Sequence, residues 1–124
     1  MSRILVVEDE AIVAMSLCLQ LRQAGHKPLP PAATGEQAIK LAMEHKPDAI
    51  LMDINLASSM NGIEASRSIR LFSAAPIIFT SGYTNEDLRR QALTMQPAEY
   101  LVKPFSFPRL KIMLAELEQR PQTR

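Results

Sequence analysis

The chain has 124 residues, 47% hydrophobic and 22% charged, with a formal net charge of +1. That size and balance suit one folded domain, argue against disorder, and supply no bulk electrostatic reason to bind nucleic acid or an anionic membrane. The single cysteine, Cys18, excludes an intrachain disulfide, and its helical apolar setting suits a small buried hydrophobe better than a reactive thiol.

Met1-Ser2-Arg3 runs directly into a strand pattern, with no secretory leader and no apolar run of membrane-spanning length, so a cytoplasmic protein is expected. Ile4-Leu5-Val6-Val7 is apolar and β-branched, and Glu8-Asp9-Glu10 ends it. From Ala11 the period changes: Val13, Leu17 and Leu21, flanked by Ala14 and Cys18, form a helical stripe that Gly25 closes. A second strand is expected within residues 26–33. Pro28, Pro30 and Pro31 carry no N–H for a ladder, so it must be at an edge, short, or barely a strand. Thr34 and Gln37 have capping-box spacing for a helix running to about His45.

Ala49-Ile50-Leu51-Met52-Asp53-Ile54-Asn55-Leu56 reads as a buried strand with a carboxylate at its exit, between a Lys46-Pro47-Asp48 breaker and a loop ending in Asn61-Gly62. Ile63, Ile69 and Leu71, with Ala65 and Ser66, make a weaker third helix. Ile77-Ile78-Phe79-Thr80-Ser81 is a fourth strand, stopped by Gly82. Thr84, with Asp87 three residues on, is expected to cap a helix to about Met95. Pro97 separates it from a fifth strand, Glu99-Tyr100-Leu101-Val102, which leads into Lys103-Pro104-Phe105. Ser106 caps a last helix with an apolar stripe at Leu110, Met113, Leu114 and Leu117, and residues 121–124 form a polar tail.

Strand–helix alternation with continuous apolar strands implies a parallel sheet covered on both faces. The expected fold is α/β, a doubly wound flavodoxin-like (βα)5 sandwich with strand order 2-1-3-4-5. In such a sheet, ligands bind beyond the carboxyl ends of the strands where the winding reverses, here between strands 1 and 3. Glu8, Asp9 and Asp53 leave those strands. Three converging carboxylates either take up a proton or hold a cation, and hard oxygen ligands beside open space suit Mg²⁺. Ser81 and the backbone N–H of Gly82 offer donors to an anion, and Lys103 brings an ammonium to the same rim. Together they can bind a phosphoryl group, with Asp53 as the attacking nucleophile.

At four consecutive strand ends the sequence resembles bacterial two-component response-regulator receiver domains, including the single-domain chemotaxis type. The pieces are Ile4 through Glu10, Leu51-Met52-Asp53-Ile54-Asn55-Leu56 with Asn61-Gly62, Pro76 through Gly82, and Tyr100-Leu101-Val102-Lys103-Pro104-Phe105. The resemblance implies that Asp53 accepts a phosphoryl group from a sensor histidine kinase or a histidine phosphotransfer protein. Glu8, Asp9, Asp53 and the Asn55 backbone carbonyl would hold Mg²⁺, with Mn²⁺ as a substitute. Lys103 would pair with the phosphate, or with Asp53 before transfer, and its bond to Pro104 is expected to be cis. Ser81 would be the switch hydroxyl and Tyr100 the switch aromatic, altering the surface of helix 4, strand 5 and helix 5 for an unidentified downstream protein. Thr80 competes with Ser81 only if the register shifts by one. Tyr83 and Asn55 flank the entrance for water.

The implied molecule is a signalling switch rather than an enzyme. It would be cytoplasmic, a monomer or weak homodimer, with no direct nucleic-acid or membrane contact. Residues 1–120 are expected to form the receiver, with no DNA-binding or enzymatic region after it. Neither His26 nor His45 sits in a phosphohistidine-donor motif. An aspartyl-phosphate phosphatase would want a second acid where Asn55 stands. A flavin- or nucleotide-binding module would want a phosphate loop where Glu8-Asp9-Glu10 stands.

Overall fold

A computed structural model describes residues 2–82 and 84–119. The strands are β1 (Arg3–Val7), β2 (Lys27–Pro28), β3 (Ala49–Asp53), β4 (Ile77–Ser81) and β5 (Ala98–Val102). The helices are α1 (Ala11–Gln23), α2 (Gly35–His45), α3 (Gly62–Arg70), α4 (Glu86–Leu93) and α5 (Phe107–Gln119). All five strands pair in parallel in the order β2-β1-β3-β4-β5, the doubly wound arrangement expected.

The runs of β1, β3 and β4 are apolar on both sides because these central strands bury two faces. Leu5, Val7, Ile50, Met52, Ile77 and Phe79 pack with Ala38 and Ala42 of α2, Ile63 and Ile69 of α3, and Ala92 of α4. Ile4, Val6, Leu51 and Ile78 pack on the other face with Ala14 and Leu21 of α1 and with Leu110, Met113, Leu114 and Leu117 of α5. Alternation along each strand thus assigns successive residues to opposite layers.

Prolines limit β2 to two residues paired with Arg3 and Ile4, followed by one isolated bridge between Val7 and Ala32. β3 ends at Asp53, so Ile54, Asn55 and Leu56 already belong to the loop beyond the sheet. The Thr34 side chain accepts from the Gln37 N–H as expected, while the Gln37 side chain reaches back to the Ala33 N–H. Ser106 accepts from Arg109 at the start of α5. The Lys103–Pro104 bond is cis, as expected, and so is Gln96–Pro97.

Two expectations fail. The cap of α4 is Asn85, not Thr84: its Oδ1 accepts from the N–H groups of Asp87 and Leu88, a reach that a residue one position earlier lacks. Leu71 is not a core residue of α3. It follows the last helical turn and is 87% exposed, whereas Ile63 and Ile69 are buried. Arg70, just before it, turns inward instead. Its guanidinium donates to the carbonyls of Met95, Pro97 and Ser73, tying the end of α3 to the end of α4. Burial without a carboxylate partner in these contacts pulls its pKa down.

Candidate functional site

Adjacent parallel strands bring β1 and β3 to a common end, so Glu8 and Asp53 emerge side by side. Val7 pairs with Met52 one residue before each. One carboxylate oxygen each from Glu8, Asp9 and Asp53 lie within 4.8 Å of one another. Glu8 and Asp53 are each only 3% exposed. Like charges that are buried so close demand compensation.

Part of it comes from β5. The Lys103 ammonium donates to Glu8 Oε1 at 2.9 Å and lies 3.4 Å from Asp53 Oδ2. Backbone N–H groups add hydrogen bonds without cancelling charge: Glu10 to Glu8 Oε2 at 3.2 Å, Asn55 to Asp53 Oδ1 at 3.0 Å and Ala57 to Asp9 Oδ2 at 2.9 Å. Loss of water around Glu8 raises its pKa, with the Lys103 and Glu10 hydrogen bonds opposing and the Asp53 charge reinforcing the rise. For Lys103 burial works against the charged form, but the Glu8 and Asp53 carboxylates prevail and its pKa is raised. Three carboxylates against one ammonium leave an excess of two negative charges, which a divalent cation would cancel. The donor set is all oxygen and sits beside a cleft, which fits a small hard cation such as Mg²⁺.

The two hydroxyls at the end of β4 separate onto opposite faces. Thr80 pairs in register with Asp53 and lines the cleft with Glu8 and Lys103. Ser81 is fully buried, and its Oγ donates to Asn55 Oδ1 at 3.0 Å. Asn55 therefore touches Asp53 through its N–H and Ser81 through its side chain. The Lys103 N–H donates to the Ser81 carbonyl at 2.8 Å, joining the ends of β4 and β5. Tyr100 is half-buried against the α2–α4 layer. Gly82 is exposed, and a side chain there would meet nothing within 4 Å. Tyr83 lies outside the described residues.

The cleft, about 630 Å³, runs from Glu8 and Lys103 between α1 and the start of α5, past Ile12, Val13, Phe105 and Phe107. On the outer side of α1, Ile12, Met15 and Leu19 form an exposed apolar stripe. Sequence reasoning placed the acids and the lysine on one rim but did not foresee that Lys103 bonds Glu8 more closely than Asp53. The α1 stripe was also missed, although residues 12, 15 and 19 have helical spacing.

Residues 4–115 match the profile of the response regulator receiver domain. The chain belongs to that family. It is a receiver domain of the kind found in two-component response regulators, which act as signalling switches. Among curated relatives, the transcriptional regulatory protein PdtaR of Mycobacterium tuberculosis is 38% identical over 104 residues, 84% of this chain and 50% of that protein. KdpE of the same species is 33% identical over 105 residues, 85% of this chain and 46% of that protein. This receiver thus spans about half the length of either relative. Among solved structures, the response regulator domain of Thermotoga maritima CheB superposes with a TM-score of 0.85 at 30% identity, covering 96% of this chain and 97% of that one. Vibrio cholerae chemotaxis protein CheY4 gives 0.84 at 25% identity, covering 94% and 98%. No helix among the described residues is long and apolar enough to cross a membrane.

Proposed function

We propose that this receiver takes a phosphoryl group onto Asp53 from the phosphohistidine of a sensor histidine kinase or a histidine phosphotransfer protein. The observation that carries the reading is a buried carboxylate at a strand end, flanked by two further acids and 3.4 Å from an ammonium. A carboxylate oxygen of Asp53 attacks phosphorus, the P–N bond breaks, and the imidazole departs with the electron pair.

Glu8, Asp9, Asp53 and the Asn55 carbonyl would hold Mg²⁺, or Mn²⁺ in its place. When bound, the metal supplies charge neutralisation at the phosphoryl oxygens. Lys103 is within reach of Asp53 and would follow the transferred group, loosening its bond to Glu8. The Gly82 N–H provides a further donor. Ser81, now engaged with Asn55, would turn to the phosphoryl group, with Tyr100 moving behind it and the α4–β5–α5 surface changing for a downstream protein. The donor's docking is supported by the apolar stripe Ile12, Met15 and Leu19 beside the cleft. The unit so described is residues 1–120, and the work is that of a switch in the cytoplasm, with at most its own phosphorylation and dephosphorylation as chemistry.

The test is incubation with acetyl phosphate, with and without Mg²⁺, followed by intact mass. A hydroxylamine-labile phosphoryl adduct that requires the metal is expected. Labelling that survives in Asp53→Ala, or that ignores Mg²⁺, overturns the proposal.

A further inference from the structure

Asn61-Gly62 reads in sequence as a turn, but Gly62 is the first residue of α3, and its φ is not in the left-handed region. Helix propensity alone would favour alanine there. Contact forbids it. A Cβ on Gly62 would lie 2.3 Å from the Asp53 carbonyl oxygen, 2.9 Å from its carbonyl carbon and 2.9 Å from Cα of Ile54. Ordinary contact starts at 3.4 Å, so one backbone or the other would have to retreat by about 1 Å.

The approach is held from several directions. The Gly62 N–H donates to the Ile54 carbonyl at 3.0 Å, and the Ile54 N–H donates to the Thr80 carbonyl at 2.9 Å. The loop after Asp53 is thus clamped between α3 and β4. The start of α3 is locked in turn by a reciprocal capping box, in which the Asn61 side chain accepts from the Glu64 N–H and the Glu64 side chain accepts from the Asn61 N–H. Gly35 makes a useful comparison because it also begins a helix. A Cβ there would come within 2.9 Å of Cγ and Sδ of Met60, which can swing away, and 3.1 Å of its Cβ, which need give only a few tenths of an ångström, and it would approach no backbone atom so closely.

We propose that Gly62 is a positioning residue for the phosphoacceptor. It seats α3 directly on the Asp53–Ile54 backbone and so fixes the Asp53 carboxylate and the Asn55 carbonyl relative to Glu8, Asp9 and Lys103. This inference rests on the phosphoacceptor reading. It differs from a packing role in one respect: moving Asp53 should cost reactivity and metal affinity in protein that is still folded. A misplacement of about 1 Å at a reacting group can cost on the order of 100-fold in rate.

The experiment compares wild type, Gly62→Ala and Gly35→Ala, each confirmed folded by circular dichroism well below its melting point. The readouts are the acetyl phosphate labelling rate by intact mass and the Mg²⁺ dissociation constant by NMR titration. Gly62→Ala is expected to label roughly 10- to 100-fold more slowly and to bind Mg²⁺ several-fold more weakly. Gly35→Ala should stay within about twofold of wild type on both readouts, since only the Met60 side chain must adjust. A folded Gly62→Ala that labels and binds Mg²⁺ like wild type overturns the inference and leaves the phosphoacceptor reading standing. If Gly62→Ala does not fold, Asn61→Ala decides, because it releases the cap without adding an atom near Asp53. Weaker Mg²⁺ binding by that folded variant supports the positioning role, and unchanged binding overturns it. A wild-type protein that never labels overturns the phosphoacceptor reading and this inference with it.

Discussion

Replacing Lys103 by methionine isolates the electrostatics of the site. Methionine keeps much of the aliphatic stem and removes the charge. In the native protein the ammonium lies 2.9 Å from Glu8 Oε1 and 3.4 Å from Asp53 Oδ2, with both carboxylates almost fully buried. Removing one partner of a buried ion pair costs about 3–5 kcal/mol, since the other charge is left uncompensated. The Lys103 side chain is 28% exposed, so water recovers part of that loss, and about 2–4 kcal/mol is the expected cost in EDTA. For a domain of this size that is a melting-point drop on the order of 10 °C.

Two further effects fix the cause. Without Lys103 the acids carry one more net negative charge, so Mg²⁺ should stabilise Lys103→Met more than it stabilises wild type. Acid should also rescue the variant. Burial already raises the Glu8 pKa, and loss of the Lys103 hydrogen bond and charge raises it further. A carboxyl whose folded-state pKa exceeds its unfolded value stabilises the fold at low pH and loses that contribution as pH rises between the two values. The stability gap to wild type should therefore narrow as pH falls toward the ordinary carboxyl range. Urea titrations in EDTA and in Mg²⁺, over a series of pH values, measure all three effects. A variant as stable as wild type in EDTA, with equal response to Mg²⁺ and no pH dependence of the difference, would refute the reasoning.

Other substitutions probe separate links. Arg70→Met leaves the Met95 and Pro97 carbonyls without their charged donor and should cost roughly 2–3 kcal/mol in urea titration; a neutral outcome would mean that water replaces the guanidinium. Ser81→Ala should still label from acetyl phosphate, but the phosphorylation-dependent NMR shifts of α4, β5 and α5 should shrink; a full wild-type response would remove Ser81 from the switch. Ile69→Ala should lose about 2–4 kcal/mol, while Leu71→Ser should stay within about 0.5 kcal/mol of wild type, by the same denaturation assay. An equal loss at both positions would contradict the placement of Leu71 outside the core.

The sheet was legible because its physics is local and repetitive. Ile4 to Val7, Ala49 to Met52 and Ile77 to Phe79 have no polar interruption, which only a two-face burial explains. Strand order followed from where proline cannot sit, and the convergence of Glu8, Asp9 and Asp53 followed from that order. What stayed hidden depends on distance rather than pattern. Whether Thr84 or Asn85 caps α4 turns on one residue of backbone phase. Leu71 lies outside the core that its spacing suggested, while Arg70 beside it reaches carbonyls at and beyond the end of α4 that are remote in sequence. The closeness of Gly62 to Asp53 leaves no mark in the sequence beyond a glycine that a turn would equally explain. The division of Lys103 between Glu8 and Asp53 is likewise a matter of tenths of an ångström.

The brevity of β2 bears on how the molecule behaves in company. An open sheet is a template at both margins, and a bare row of amides invites another chain to continue it. On this side the template is two residues long, and prolines at positions 28, 30 and 31 interrupt any row a neighbour could read. Raising the protein concentration should therefore not draw copies together along that margin. Growth of the sheet, if it occurs, is left to the five-residue margin of β5, the strand that carries Lys103 into the site.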